Sequence, residues 1–262
     1  MSRIVNESIL LLRGSVGPEV GNLQRLLAEM DHRDPVGVPI VADESFGPKT
    51  EHALRDLQKT IALPVTGALD PATRKALGPL GFVPFVQSKN CRVFWPKTRA
   101  LRMIVVHTME CQESNLTAAE DVALWFAGKS PYPAPKASAH YCIDQDSTVQ
   151  CVRDTDEAWH ASQGNTGGIG LEHAGFARQT GDDWADQASS AILWRSAKLA
   201  AKICRRYDIF PKRLSLTEIV AGGNGFCGHV DVNAAYGNHG GHTDPGKDFP
   251  WASYLALVEE SL

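Results

Sequence analysis

Two hydrophobic periods divide this chain, and they limit its fold more than any other feature. Through about residue 78 the apolar residues recur every three or four positions, the spacing of amphipathic helices. At residue 101 the pattern becomes LRMIVVHT, a continuous run of apolar and β-branched residues that reads as a buried strand. Strands and helices then mix to the end. This order predicts a small three-helix all-α domain, followed by an α/β domain whose mixed central sheet is flanked by helices.

In the first part, Val20, Leu23, Leu26 and Leu27 share one helical face within residues 16–30. DESFG at 43–47 reads as a turn, and Pro48 opens a second helix to Leu63 with Ala53, Leu54, Leu57 and Ile61 on one side. PVTGALD is a loop, and Asp70-Pro71 caps a third helix that ends at Leu77-Gly78. The expected boundaries are 1–80 for this domain, 81–98 for a linker and 99–262 for the second domain. Phe82, Phe85 and Phe94 argue that the linker packs on the second domain rather than hanging free. Beyond LRMIVVHT, TAAEDVALWFAG (117–128) reads as a helix with a Thr cap and a Gly stop. ASAHYCIDQDSTVQCV reads as two strands around a turn at Asp144 to Ser147, GGIGLEHAG as another strand, and 183–207 as a long amphipathic helix.

The 262 residues suit two domains at roughly 150 residues each. A formal net charge of -4 argues against general attraction to nucleic acid or an acidic membrane surface, but is compatible with a mostly neutral polymer such as glycan. The apolar run Ile9 to Leu12 is shorter than the roughly 7–15 residues of a signal-peptide core, and no stretch approaches the roughly 18 residues of a membrane helix. Synthesis in the cytoplasm without a signal peptide is therefore expected. The six cysteines form no CxxC pair and read as free buried thiols, although Cys142 and Cys151 flank the predicted hairpin and could pair.

The chemistry lies in the histidines. Most of the nine fall between 107 and 242. Catalytic zinc takes three protein ligands from His, Asp, Glu or Cys and leaves a fourth position open. His107 ends the buried strand, His229 sits in GFCGHVDV, and Asp244 sits in the turn-rich GGHTDPG with its backbone restricted by the following Pro. Each alone has an ordinary explanation, as a hydrogen-bonded core residue or a turn former; the constellation is a stronger sign of a metal site than any one of its parts.

Two families are resembled here. LLRGSVGPEVGNLQRLL, FGPKTEHALRDLQ and LPVTGALDPATRKAL, over residues 8–78, resemble the type 1 peptidoglycan-binding domains, with ADES where that family usually has an Asp-Gly pair. IVVHTM, ASAHYCIDQDSTVQCVRDTDEAWHA, GNTGGIGLEHAG, GHVDV and HTDPGKDFPW, over 101–258, resemble the type 2 N-acetylmuramoyl-L-alanine amidases. That resemblance implies zinc on His107, His229 and Asp244, a catalytic carboxylate at Glu172, and a cationic or hydrogen-bonding residue two before the last ligand, here His242. Two departures stand out. Fourteen residues (230–243) separate His229 from Asp244, a longer stretch than is common, and its His239 competes with His242 for that role. Ala139 stands where some phage members carry a catalytic Tyr, which favours the Glu172 type of site.

The residue types suit amide hydrolysis. Zinc lowers the pKa of a bound water from about 15.7 to about 7. Glu172 can take its proton and pass it to the leaving amine, and a donor such as His242 facing the developing oxyanion is worth about 3–4 kcal/mol. Alternation along the strand puts Glu172 and His173 on opposite faces, leaving His173 structural. His140, Trp159, His160 and Asn165 are expected to line the substrate cleft, with Thr166 beside Asn165 in a loop over the site.

The expected function is zinc-dependent hydrolysis of the amide between N-acetylmuramic acid and L-alanine of peptidoglycan, by a monomer acting on the cell wall as a phage endolysin. A bacterial autolysin and a muropeptide-recycling amidase are alternatives. A wall-binding domain raises local concentration on an insoluble polymer, which disfavours a soluble muropeptide as substrate. A non-catalytic binding protein would lack the full ligand set. A glycosidase would need two carboxylates about 5–9.5 Å apart and would leave the histidines unexplained.

Overall fold

The structure is a computed structural model that describes residues 10–94, 99–237 and 241–262. It divides into two compact units, Met1–Phe85 and Val86–Leu262.

In the first unit, α1 (Pro18–Glu29), α2 (Pro48–Thr60) and α3 (Pro71–Leu77) each start with proline at the first turn, where a missing N–H costs nothing. Leu23, Leu27, Leu54, Leu57, Leu69 and Leu77 are buried in one core. Phe82 joins that core and Asn22 Nδ2 donates to the Val83 carbonyl at 2.8 Å, so this part of the expected linker belongs to the helical unit and not to the second domain. α2 stops at Thr60 rather than Leu63, because Ala62 turns left-handed (φ 55°) and the Leu63 N–H closes back on the Gln58 carbonyl at 2.8 Å. Asp70 caps α3 by accepting from the Thr73 N–H at 2.8 Å.

Two buried glutamines tie loops to helices. Gln24 Nε2 donates to Asp43 Oδ1, Thr50 Oγ1 and the Ser45 carbonyl, while its Oε1 accepts from the Glu44 N–H. Gln58 does the same one helix later: its Nε2 donates to Thr66 Oγ1, Thr73 Oγ1 and the Ala68 carbonyl, and its Oε1 accepts from the Gly67 N–H. Buried amides of this kind stabilise only while every partner is present.

The second unit opens with residues 86–94. The Val86 and Ser88 N–H groups donate to the carbonyls of Gln150 and Cys151, and β1 (Cys91–Arg92) later meets a short strand. The main sheet contains β2 (Met103–Thr108), β3 (Tyr141–Ile143), β4 (Thr148–Gln150) and β6 (Gly168–His173), with β5 (Glu157–Ala158) pairing antiparallel to β1 outside it. A last strand, β7 (Gly225–Gly228), completes the order β4-β3-β6-β2-β7. All pairs are parallel except β3–β4, whose turn forms as Asp144 Oδ1 accepts from the N–H groups of Asp146 and Ser147.

Helix α4 (Ala118–Phe126) packs on β3 and β4; Thr117 precedes it, but its hydroxyl bonds Asp121 rather than capping the backbone. The expected helix over 183–207 breaks into a 3-10 turn and α5 (Gln187–Tyr207), because Asp186 adopts extended backbone and caps α5 through the Ser189 N–H. α6 (Leu216–Val220), α7 (His229–Ala235) and α8 (Trp251–Glu260) complete the unit. Met103, Val105 and Cys227 on one sheet face pack with Ile219 and Val232, from α6 and α7. The other face, with Phe226 and His173, meets Tyr254 of α8 and Ser196 of α5. All six cysteines are free thiols, with the Cys142 and Cys151 sulfurs 3.7 Å apart.

Replacing Gln58 with Leu should orphan the Gly67 N–H at about 1–3 kcal/mol, while the Ala68 carbonyl keeps the Thr66 hydroxyl as donor. Hydrogen exchange should show α1–α3 amides losing roughly 1–3 kcal/mol of protection while α5 amides stay unchanged.

Candidate metal centre

The parallel strands place the chemistry at their C-terminal ends, where open α/β sheets bind ligands. His107 pairs in register with Glu172 of β6, so the two side chains leave the same face. On the other side of β2, Val105 pairs with Cys227; two residues on, β7 has run into α7, and His229 is the first residue of that helix. Asp244 arrives from the following loop. Its carbonyl accepts from the Val230 N–H at 2.9 Å, which docks the loop on the start of α7. The approach is close enough that a Cβ on Gly228 would lie 2.5 Å from Pro245 Cδ. The turn is fixed from beneath: the Gly228 N–H donates to Asp231 Oδ2 at 2.6 Å, Arg213 pairs with the same oxygen, and the Arg213 guanidinium lies over the Trp251 ring.

Three buried side chains converge as a result. His107 Nδ1 is 2.9 Å from Asp244 Oδ2, and His229 Nδ1 is 3.2 Å from Asp244 Oδ1. One donor atom from each of the three lies within 4.8 Å of the others. Ligands at about 2.0–2.1 Å around a tetrahedral ion sit about 3.3 Å apart, so these residues fit a small divalent cation. Burial works to raise the Asp244 pKa, but hydrogen bonds from His107 and His229 hold it far below the usual carboxylate range. Burial also lowers the His107 pKa, against the pull of Asp244, and so favours the neutral form of the ring. Among the described residues, Asp244 has imidazoles and no Lys or Arg as ion-pair partners.

Glu172 is half-buried beside this group. Burial pushes its pKa well above the usual value, with the charges of Asp244 and Glu110 adding to the shift. His242 is largely exposed and stacks on His229 with ring centroids 4.3 Å apart. His239 lies outside the described residues.

The profile of the N-acetylmuramoyl-L-alanine amidase family matches residues 97–247, more than half of the chain. The chain belongs to this family. The profile of the peptidoglycan binding domain family matches residues 16–77. The amidase is 31% identical over 170 residues to N-acetylmuramoyl-L-alanine amidase A of Achromobacter lyticus, covering 59% of this chain and 81% of that protein. Similar solved structures include the Staphylococcus aureus hydrolase AmiA in complex with its ligand (18% identity, 72% of this chain, 89% of that chain, TM-score 0.49). Another is the endolysin amidase LysCS of Clostridium intestinale (15% identity, 68% and 95%, TM-score 0.44). The chain is thus an N-acetylmuramoyl-L-alanine amidase that hydrolyses an amide bond of peptidoglycan, with a peptidoglycan-binding unit ahead of its catalytic unit.

The amidase does not use every histidine as expected. His140 is fully buried, so it cannot line a cleft: its Nδ1 accepts from the Gly170 N–H and its Nε2 faces the Asp156 carbonyl and Arg99. Burial, with Arg99 next, holds its pKa down to about 3. His160 is also buried, with Nδ1 3.0 Å from His107 Nε2. Asn165 Oδ1 is occupied by the N–H groups of His160 and Ala161, which makes it a loop clamp. Trp159 is exposed and open to a ligand. His173 lies on the opposite face, with Nε2 2.6 Å from Ser196 Oγ and Nδ1 3.0 Å from the His107 carbonyl.

Zinc added to chelator-treated protein should raise its unfolding midpoint, by about 4 kcal/mol of stability at a thousandfold excess over the dissociation constant. Asp244→Ala should abolish that shift; an equal shift in the variant would place the ion elsewhere.

Proposed function

We propose that the chain is a zinc amidase that cleaves the bond between N-acetylmuramic acid and L-alanine, with His107, His229 and Asp244 as metal ligands. The observation that carries this reading is the convergence of two imidazoles and one carboxylate beside Glu172, at the C-terminal ends of neighbouring parallel strands. Two histidines and one carboxylate are a ligand set that suits zinc and leaves room for a fourth partner. A bound zinc ion supplies Lewis acidity, polarising a carbonyl and acidifying water.

The remaining steps fall to the chain's own residues. Glu172 accepts no hydrogen bond among the described residues, and its raised pKa suits a group that takes a proton and gives it back. It removes the proton from the attacking water and delivers it to the departing L-alanine nitrogen. His242, exposed at the mouth and held on the His229 ring, donates a hydrogen bond to the oxygen that becomes negative. Trp159 offers an aromatic face to sugar or peptide at the rim.

Residues 1–80 are read as the wall-binding part and 99–262 as the catalytic part, and the expected connection over 81–98 divides between the two units at Phe85 and Val86. Tandem binding and cleavage favour polymeric wall over soluble fragments, since anchoring raises the local concentration of the second unit. Release of a host wall by a phage endolysin is the role we assign, with a bacterial autolysin as the second reading.

Digestion of purified sacculi should expose new L-alanine amines without new reducing sugar; new reducing ends would replace the amidase assignment with a glycosidase. Glu172→Gln should keep its zinc and lose about 10²–10⁴-fold in turnover, and normal turnover would remove Glu172 from the mechanism.

A further inference from the structure

We propose that His160 is a positioning residue for the metal site: with an ion bound, its Nδ1 accepts a hydrogen bond from the Nε2–H of His107 and thereby holds that ring with its Nδ1 lone pair toward the ion that Asp244 and His229 share. This rests on the metal reading above. His107 has two ring nitrogens. Nδ1 faces Asp244 at 2.9 Å, and Nε2 faces His160 Nδ1 at 3.0 Å. A neutral imidazole carries one proton, so an ion on Nδ1 requires that proton on Nε2, and His160 is where Nε2 points. Partners on the outer nitrogen of a ligating histidine fix its tautomer and orientation.

His160 is itself held in place. The N–H groups of His160 and Ala161 donate to Asn165 Oδ1 at 2.9 and 2.7 Å. Its ring lies over Gly170, where a Cβ would come within 2.8 Å of Cγ and 2.9 Å of Nδ1. The His107 and His160 rings are nearly perpendicular, at 87°. Both residues are buried, so bulk water does not stand in for the contact.

One cost identifies the purpose. Among the described residues, His160 Nε2 is buried and has no hydrogen-bond partner. A side chain needed only to fill this space would be less costly as Phe or Leu, because an unsatisfied buried polar atom destabilises the fold. The imidazole makes sense here if its other nitrogen is required, and His107 is what that nitrogen touches.

The test compares zinc affinity, by competition with a chromophoric chelator, in the full chain and four variants. His160→Asn places Oδ1 where His160 has Nδ1 and keeps an acceptor; His160→Phe keeps the ring and removes it. Gly170→Ala leaves His160 in the sequence but drives its ring off the strand. His107→Ala marks the background. His160→Phe and Gly170→Ala should bind zinc about 10–100-fold more weakly, with His160→Asn within roughly threefold of the parent. With cobalt(II) in place of zinc, the visible absorption band should change in His160→Phe and return toward the parent in His160→Asn. If His160→Phe does not fold, Gly170→Ala against His160→Asn carries the comparison. Parent-like zinc affinity in both His160→Phe and Gly170→Ala, or loss in His160→Asn as large as in His160→Phe, overturns the proposal. Failure of the metal reading looks different: the parent chain would then bind zinc no better than His107→Ala.

Discussion

A carboxylate buried between two imidazoles is the interaction around which the catalytic unit is arranged. Burying a negative charge without a metal ion, Lys or Arg beside it is costly, and hydrogen bonds from imidazoles compensate only part of that cost. Asp244 nevertheless stays ionised, because His107 and His229 hydrogen-bond its two oxygens. A dication placed among the three would convert that liability into the strongest local attraction. Much of the surrounding backbone serves this meeting. Gly228 leaves room for Pro245, the Val230 N–H holds the Asp244 carbonyl, and Asp231 with Arg213 secures the turn that launches His229.

The sheet separates chemistry from support by its period of two. His107 and Glu172 leave one face; Thr108 and His173, one residue on, leave the other. On that second face His173 is bound by Ser196, which also contacts the Tyr254 hydroxyl at 2.7 Å, so a polar chain joins α5, α8 and the strand. Burial pushes the His173 pKa down to about 4, which keeps it neutral within an otherwise apolar layer. A single-residue slip in β6 would exchange the roles of Glu172 and His173. The parallel pairing of β6 with both β2 and β3 resists such a slip.

Much of this was legible from the residues, and the misses share a cause. The three helices, the strand at 103–108 and the hairpin at 141–150 follow from local periodicity and turn residues, which depend on near neighbours alone. His107, His229 and Asp244 were singled out together by residue type and by the family resemblance, and the structure brings their three side chains into one group. What was not legible depends on packing between distant segments. His140 and His160 look like cleft residues by composition, yet both lie behind the sheet's C-terminal edge, packed against Gly170 and each other. Phe82 reads as part of a linker, but the chain folds back after α3 and buries it with the leucines of the first unit. The glycine at 170 was the one available signal, because a strand interior gives up stability for Gly only where another group must come close.

The two carboxylates nearest the metal site show how one environment can yield two functions. Asp244 and Glu172 are both removed from water to a large degree, and burial alone would raise both pKa values. Asp244 is pulled the other way by two imidazole donors and remains an anion fit to hold a metal. Among the described residues Glu172 has no such donors, and it also feels the charge of Asp244, so its proton affinity rises. Groups whose surroundings drive their pKa values apart in this manner divide the work between ligand and proton carrier. On the proposed mechanism the division has a physical origin in one register pair: β2 and β6 place Glu172 beside His107, near enough to share its pocket, while the loop that delivers Asp244 takes both imidazole bonds first.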